Sequence, residues 1–513
     1  MKKTLFSTIL STALIISILL ALLTSCAMMK GAAPNDAAGG YYGNAFPNVQ
    51  APEASLDGES YTEIVENNFI KTSENANSYF SIDANTASYP NLRSLINKNY
   101  NNIPKNAVRV EEMLNYFNYD YEAPSDGSVL LLTSSLFDTP YNPDTKLLTI
   151  GLAAEEITFS SVQNNLVFLI DVSGSMYSDD KLPLVQQAFM MLAENLNPTD
   201  RVSIVTYASG DSVVLAGAFG YEKQKIVAAI EDLTAGGSTA GSKGIHKAYA
   251  LAEEYFIEGA NNRVILATDG DFNVGTTNTK DLENLISKKR ESGIYFSVFG
   301  FGRGNIQSDK MESLALKGNG TYSYIDSLNE ARRALVDEIG GSIITVAKDV
   351  KAGITFNPEY VESYRLIGYE NKLLTEEEFE NSATDAGELG SGHTVTVVYE
   401  LVMTDKSPTE GDKIADVIVK YKPTENVGGD AVEEKALTLT VGTDSYREAP
   451  TDTDLFIASV IEFALILRDS DYKANSDLNA LITRLQDLDL TNDAFKNEFK
   501  NLVITYRDNL ETQ

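Results

Sequence analysis

Five oxygen-bearing side chains carry the chemistry this sequence offers most clearly: Asp171, Ser173, Ser175, Thr239 and Asp269. The apolar run Leu166-Val167-Phe168-Leu169-Ile170 suits a strand buried on both faces. It ends in Asp171-Val172-Ser173-Gly174-Ser175. Alternation points Asp171, Ser173 and Ser175 the same way if the segment stays extended. Gly174 lets the backbone turn tightly around a bound ion. A second apolar run, Val264 to Thr268, leads into Asp269-Gly270-Asp271, and Gly236-Gly237-Ser238-Thr239 forms a loop just before a helix. Ligands of an open α/β sheet bind beyond the carboxyl ends of its strands, so these three loops can converge. Two carboxylates and three hydroxyls are hard ligands. They suit Mg²⁺, Mn²⁺ or Ca²⁺, and a small octahedral site favours Mg²⁺. So few carboxylates leave the ion unsaturated, with a place for a Glu or Asp from another molecule. Asp and Ser also cap turns after strands, so the Asp171 run alone would be a weak signal. Asp271 reads either as a group behind the ligands or as a solvated loop residue.

Other chemistries lack their parts. The only histidines are His246 and His393, and Cys26 is the only cysteine, so a zinc site of His and Cys ligands is nearly excluded. His246, on the helix after Thr239, reads as a surface or packing residue, and His393 as part of a turn. There is no GxxxxGK[ST] phosphate loop and no nucleophile elbow. A metal-assisted hydrolase using the same ion would need a base such as His in the metal motifs, and none is there. The chain is therefore expected not to be an enzyme. A structural protein whose metal only stabilises the fold is the alternative. A formal net charge of −32 repels phosphate backbones and argues against nucleic acid as a partner.

The first 26 residues read as a targeting device. Lys2 and Lys3 precede an apolar run from Leu5 to Leu23, and Leu23-Thr24-Ser25-Cys26 closes it. That closing sequence resembles the lipobox of bacterial lipoproteins, which implies cleavage before Cys26 and acylation of its thiol. An uncleaved span is the competing reading, since ~18 apolar residues can cross a bilayer. Two or more acyl chains hold a protein stably on a membrane. The expected location is the cell envelope, outside the cytoplasm. Residues 27–60, rich in Gly, Ala, Pro and Asn, read as a flexible tether.

The rest of the 513 residues has a globular composition, with 43% hydrophobic and 22% charged residues. Residues 61–164 read as an α+β region contributing strands to a β unit. Between 165 and 341 strands alternate with helices. Val202 to Tyr207 and Val213 to Phe219 read as an antiparallel hairpin on a sheet edge. The expected fold there is a central, doubly wound, mostly parallel sheet. Residues 342–448 read as antiparallel β, and 449–513 as a helical end. Strands on both sides of the centre suggest that the α/β unit is flanked by, or inserted in, an antiparallel β-sandwich.

Asp171-x-Ser173-x-Ser175, with Thr239 and Asp269, resembles the metal-ion-dependent adhesion site of von Willebrand factor A (VWA) domains, a Rossmann-like fold. The resemblance implies direct metal contact from the hydroxyls, contact often through water from the aspartates, and a partner carboxylate. Phe80-Ser81-Ile82-Asp83, the stretch from Arg109 to Phe117, Leu266 to Gly275 and Tyr364 to Glu370 further resemble YfbK-like bacterial lipoproteins.

Overall fold

The computed structural model describes residues 58–100, 102–125, 127–208, 210–237, 242–270, 272, 279–339, 341, 344–424 and 433–512. Cys26, the leader and tether residues 27–57 lie outside the described residues. So do Thr239 and Asp271.

The chain enters through two short strands, β1 (Ile70–Lys71) and β2 (Asn77–Ser81), and two helices, α1 (Ser88–Asn97) and α2 (Val110–Asn115). A long hairpin follows, β3 (Leu130–Asp138) and β4 (Lys146–Ala154). The α/β unit then runs β5 (Asn164–Asp171), α3 (Leu182–Glu194), β6 (Arg201–Tyr207), β7 (Asp211–Phe219), α4 (Lys223–Glu231), α5 (Ser242–Glu254), β8 (Asn261–Thr268), α6 (Thr279–Glu291), β9 (Ile294–Phe301), α7 (Ser308–Lys317), β10 (Tyr322–Ile325) and α8 (Leu328–Arg332). After it come β11 (Thr345–Phe356), β12 (Val361–Ile367), α9 (Glu376–Glu380), β13 (Gly387–Gly390), β14 (Thr394–Met403), β15 (Lys413–Pro423), β16 (Lys435–Gly442) and β17 (Tyr446–Arg447). Three helices close the chain: α10 (Asp452–Arg468), α11 (Leu478–Asp487) and α12 (Ala494–Glu511).

The central sheet has the order β10-β9-β8-β5-β6-β7. All neighbours are parallel except β6 and β7, whose antiparallel pairing forms the edge hairpin. Every residue of β5 and β8 is buried, which is why both read as continuous apolar runs. Helix α3 starts with a proline in its first turn and lays Leu182, Val185, Phe189 and Leu192 on the sheet. Phe168 stacks on Phe189 with ring centroids 4.4 Å apart.

The flanks build two antiparallel-rich sheets. One has the order β1-β12-β14-β4-β3-β17, and the other is β13-β11-β15-β16 with β2 also paired to β11. β4, which precedes the α/β unit, pairs with β14, which follows it, from Lys146 opposite Leu401 to Ala153 opposite Thr394. The α/β unit is thus inserted between strands of one sheet. Leu148, Ile150, Leu152 and Val397 from the first sheet share a core with Ala352, Ile354, Val417 and Val419 from the second.

The opposite face of the first sheet is not solvated. Phe137, Leu147, Ile367 and Val398 point into a second core made by α1, α2, α10, α11 and α12. The sequence places Phe456, Val460, Phe463 and Leu467 on one apolar face of α10. In the structure Ile457, Ala458 and Ile461 are buried as well, because the helix is enclosed by its neighbours. The sequence also reads a single helix from Asn329 to Ile339. Instead α8 ends at Arg332 and continues as a π-turn over Arg333–Asp337.

Buried charge ties the inserted unit to its scaffold. Arg93 on α1 lies 2.6 Å from Asp326, 2.9 Å from Glu330 and 2.8 Å from Glu498 on α12. A second cluster gathers around Arg109. Its guanidinium lies 3.6 Å from Glu112 on α2 and 3.4 Å from Glu312 on α7, while Lys372 pairs with Asp83 at 2.9 Å. Burial is the largest influence on Glu112 and pushes its carboxyl up to about 8. Glu312 and Asp83 add repulsion, opposed by Arg109 and the Ser88 N–H. Glu111, facing Glu370, Arg109, Glu112 and Arg468, is pushed up to about 7 by burial first.

Two expectations follow. Arg93→Met leaves buried Asp326 without its cation, while Glu330 keeps Arg333, and should cost about 3–5 kcal/mol in chemical denaturation. Glu111 and Glu112 hold protons more tightly folded than unfolded. Their contribution is therefore present at low pH and lost as pH rises through about 7 to 8. Wild-type protein should lose thermal stability between roughly pH 4.5 and 8, from the unfolded to the folded carboxyl range, and level off above it, and Glu112→Gln should flatten that slope, raising the melting temperature at the alkaline end by roughly 2–4 °C.

Candidate metal centre

The strands set the site. In the parallel register Ile170 of β5 stands opposite Ala267 of β8, and Asp171 opposite Tyr207 of β6. Asp171 therefore ends its strand level with Thr268, one residue before Asp269. Asp171, Ser173 and Asp269 are almost completely buried, whereas Ser175 is exposed. The site is thus a buried acidic floor with an exposed serine at its rim.

The extended path read from the sequence does not persist. Ser173 is still extended, but a 3-10 turn begins at Gly174 and runs to Tyr177. Ser175 reaches Ser173 by this turn rather than by strand alternation, and the two hydroxyl oxygens lie 3.0 Å apart. The Ser173 N–H donates to Asp171 Oδ1 at 2.8 Å, which fixes the carboxylate. The loop ahead of α5 is stitched to this turn. Gly236 N–H donates to the Val172 carbonyl at 2.8 Å, and Gly174 N–H donates to the Gly237 carbonyl at 2.9 Å.

Electrostatically the floor is crowded. Burial pushes the Asp171 carboxyl up to about 6. The two Ser173 hydrogen bonds pull it down, and the charge of Asp269 pushes it up. Asp269 has basic and polar company that sequence reasoning missed. Lys181, 7% exposed, donates from Nζ to Asp269 Oδ2 at 2.7 Å. Asn305 Nδ2 donates to the same oxygen at 3.3 Å. Gly270, at φ +105°, lies so close to the Asn305 carbonyl that a Cβ would sit 2.1 Å from it. Nothing in the local sequence marks Lys181, in Asp179-Asp180-Lys181, as a buried residue. Tyr177 was missed too. It stands 82% exposed on the same turn as Ser175.

The loop carrying Asn305 also reaches the start of the described chain. Arg303 pairs with Glu59 at 2.6 Å with both side chains buried, and Ser60 N–H donates to the Ile306 carbonyl at 2.7 Å. Residues 58–60, expected to be tether, therefore belong to the folded body. Of the histidines, His246 is exposed on α5, and His393 is half-buried in a turn where its Nδ1 accepts from Gly390 N–H at 3.2 Å.

The donor set fits a hard divalent cation. A buried carboxylate repelled by a second one gains from a positive charge, and the paired hydroxyls supply neutral oxygens. Among the described residues no three His, Cys, Asp or Glu side chains gather so as to hold a metal ion. Asp171, Ser173, Ser175 and Asp269 would hold the ion, which would supply a Lewis-acidic anchor for an outside carboxylate.

Comparison with known proteins agrees with this architecture. Residues 165–338 match the family model of the von Willebrand factor type A domain, and residues 55–149 match one described as von Willebrand factor. Residues 341–508 match one described as the C-terminal part of uncharacterized protein YfbK. Uncharacterized protein YfbK of Escherichia coli K12 is 37% identical over 439 residues, covering 81% of this chain and 75% of that one. Human inter-alpha-trypsin inhibitor heavy chain H4 is 29% identical over 204 residues, which are 36% of this chain and 21% of that protein. A solved von Willebrand factor type A structure from Catenulispora acidiphila overlays 74% of this chain and 90% of its own, at 17% identity and a TM-score of 0.41. Domains of this type commonly bind a divalent metal and mediate protein–protein interaction. By identity and coverage together, the chain belongs to the YfbK family of von Willebrand factor A-domain proteins.

Proposed function

We propose that this chain is a cell-envelope lipoprotein, anchored through Cys26 outside the cytoplasm, that captures a protein partner through a Mg²⁺-type adhesion site. The ligands are Asp171, Ser173, Ser175, Thr239 and Asp269. The partner supplies a Glu or Asp side chain to the ion. The observation that carries this reading is the asymmetry of the site: Asp171 and Asp269 are buried while Ser175, whose hydroxyl lies 3.0 Å from that of Ser173, is an exposed residue. A metal serving only the fold would gain from closure on all sides. An ion held from below, with its outer side toward solvent, suits recognition.

Exposed Tyr177 beside Ser175 supports the same reading. A solvent-facing aromatic next to a charged anchor is the kind of group that dominates interfaces. The reading includes no catalysis. In it the ion's task is to bind.

The test is a pull-down from the source cells with and without Mg²⁺ and chelator. Wild type should retain a partner only with the metal. Asp171→Ala should keep its circular dichroism and lose the partner. Unfolding of that variant would instead favour the metal as a fold stabiliser, and hydrolytic turnover lost in it would favour an enzyme. Tyr177→Ala should weaken capture by about 1 kcal/mol or more without changing Mg²⁺ dependence.

A further inference from the structure

Lys181 is a fixed positive charge inside a site that should attract a cation. It lies just ahead of α3, is 7% exposed, and donates to Asp269 Oδ2 at 2.7 Å. The fold makes room for it. Gly302 at φ +67° lies so close to the lysine stem that a Cβ there would sit 2.3 Å from Lys181 Cγ. Any larger residue at position 302 would push the stem out of its slot. The Gly302 backbone therefore packs against the stem of the lysine whose ammonium meets Asp269, and Asn305 donates to the same carboxylate oxygen.

We propose that Lys181 is a counter-cation that keeps metal affinity low and reserves positive charge for the partner's carboxylate, so that ion and partner bind cooperatively. This rests on the adhesion-site reading. Among the described groups at the floor, Asp171 and Asp269 contribute two negative charges and Lys181 one positive charge, leaving one net negative charge for these three. A divalent ion turns that into one net positive charge, and an incoming carboxylate brings the site to neutrality. Without Lys181 the two aspartates would neutralise the ion by themselves. The outside acid would then meet a neutral site in place of a positive one. Lys181 thus trades affinity for the ion against affinity of the loaded site for an acid.

The test uses the whole protein and Mn²⁺ alone, followed by calorimetry and by water-proton relaxation. Lys181→Met keeps an apolar stem in the slot and should bind Mn²⁺ about tenfold more tightly than wild type. Lys181→Arg should stay near wild type. Acetate, added as the simplest carboxylate, should tighten Mn²⁺ binding severalfold in wild type and not in Lys181→Met. If Lys181→Met fails to fold by circular dichroism, Lys181→Gln, which keeps a hydrogen-bond donor and removes the charge, is read in its place. Mn²⁺ binding to wild type with equal or weaker affinity in the charge-free variant overturns the role of the lysine and leaves the adhesion site standing. Failure of both wild type and variant to bind Mn²⁺ overturns the adhesion site, and this proposal with it.

Discussion

Two carboxylates cannot be kept close together in a protein interior unless something holds each in place and something offsets their repulsion. Asp171 and Asp269 are in that position because β5 and β8 are parallel neighbours whose ends coincide, with Ile170 opposite Ala267. The register is enforced by continuous apolar strands between two layers of helices, where a slip would move buried side chains against the wrong neighbours. The remaining features of the site answer that juxtaposition. The Ser173 N–H fixes one acid, and Lys181 and Asn305 fix the other. A short turn brings two hydroxyls to the rim above them.

The scaffold around the α/β unit follows from the same need for rigidity. β4 and β14, on opposite sides of the inserted unit in sequence, are adjacent in one sheet, so the unit leaves and re-enters the scaffold beside itself. That sheet is covered on both faces, by the second sheet and by helices from both chain ends. The inserted unit is then gripped by ion pairs that are themselves buried, at Arg93 and around Arg109. Buried pairs of this kind add little to stability beyond what apolar packing would give, but they tolerate only one arrangement of partners. Their value here is orientation.

Much of this was legible from periodicity. Continuous apolar runs marked β5 and β8, and the closely spaced pair after α3 marked the edge hairpin, because backbone burial on one or two faces writes itself into residue type. The types of Asp171, Ser173, Ser175 and Asp269 pointed to hard-cation chemistry, and the structure brings those four to one sheet edge, while Thr239 lies outside the described residues. What was not legible depends on tertiary contact. Lys181 sits among acidic residues and reads as solvated, yet the space above Gly302 swallows its stem. Ser175 reaches Ser173 through a turn whose geometry depends on the neighbouring Gly237 carbonyl. Helix α10 looked one-sided because Ala458 and Ile461 gain their burial only from helices that arrive from elsewhere in the chain.

The loop after β9 gives these local facts a common frame. Within five residues it supplies Gly302 beneath the Lys181 stem, Arg303 to Glu59, Asn305 to Asp269 and Ile306 to Ser60. One face of the loop therefore shapes the acidic floor, and the other is bolted to the first residues of the folded body. The Arg303–Glu59 pair is buried on both sides, so separating it would expose an uncompensated charge. The backbone bonds between Ser60 and Ile306 and between Ser308 and Ser60 lock the same two segments in register. The charge arrangement at Asp269 thus does not belong to the α/β unit alone. It is completed by a strap from the segment that precedes the scaffold, so the strap and the site's counter-charge are placed by a single short turn.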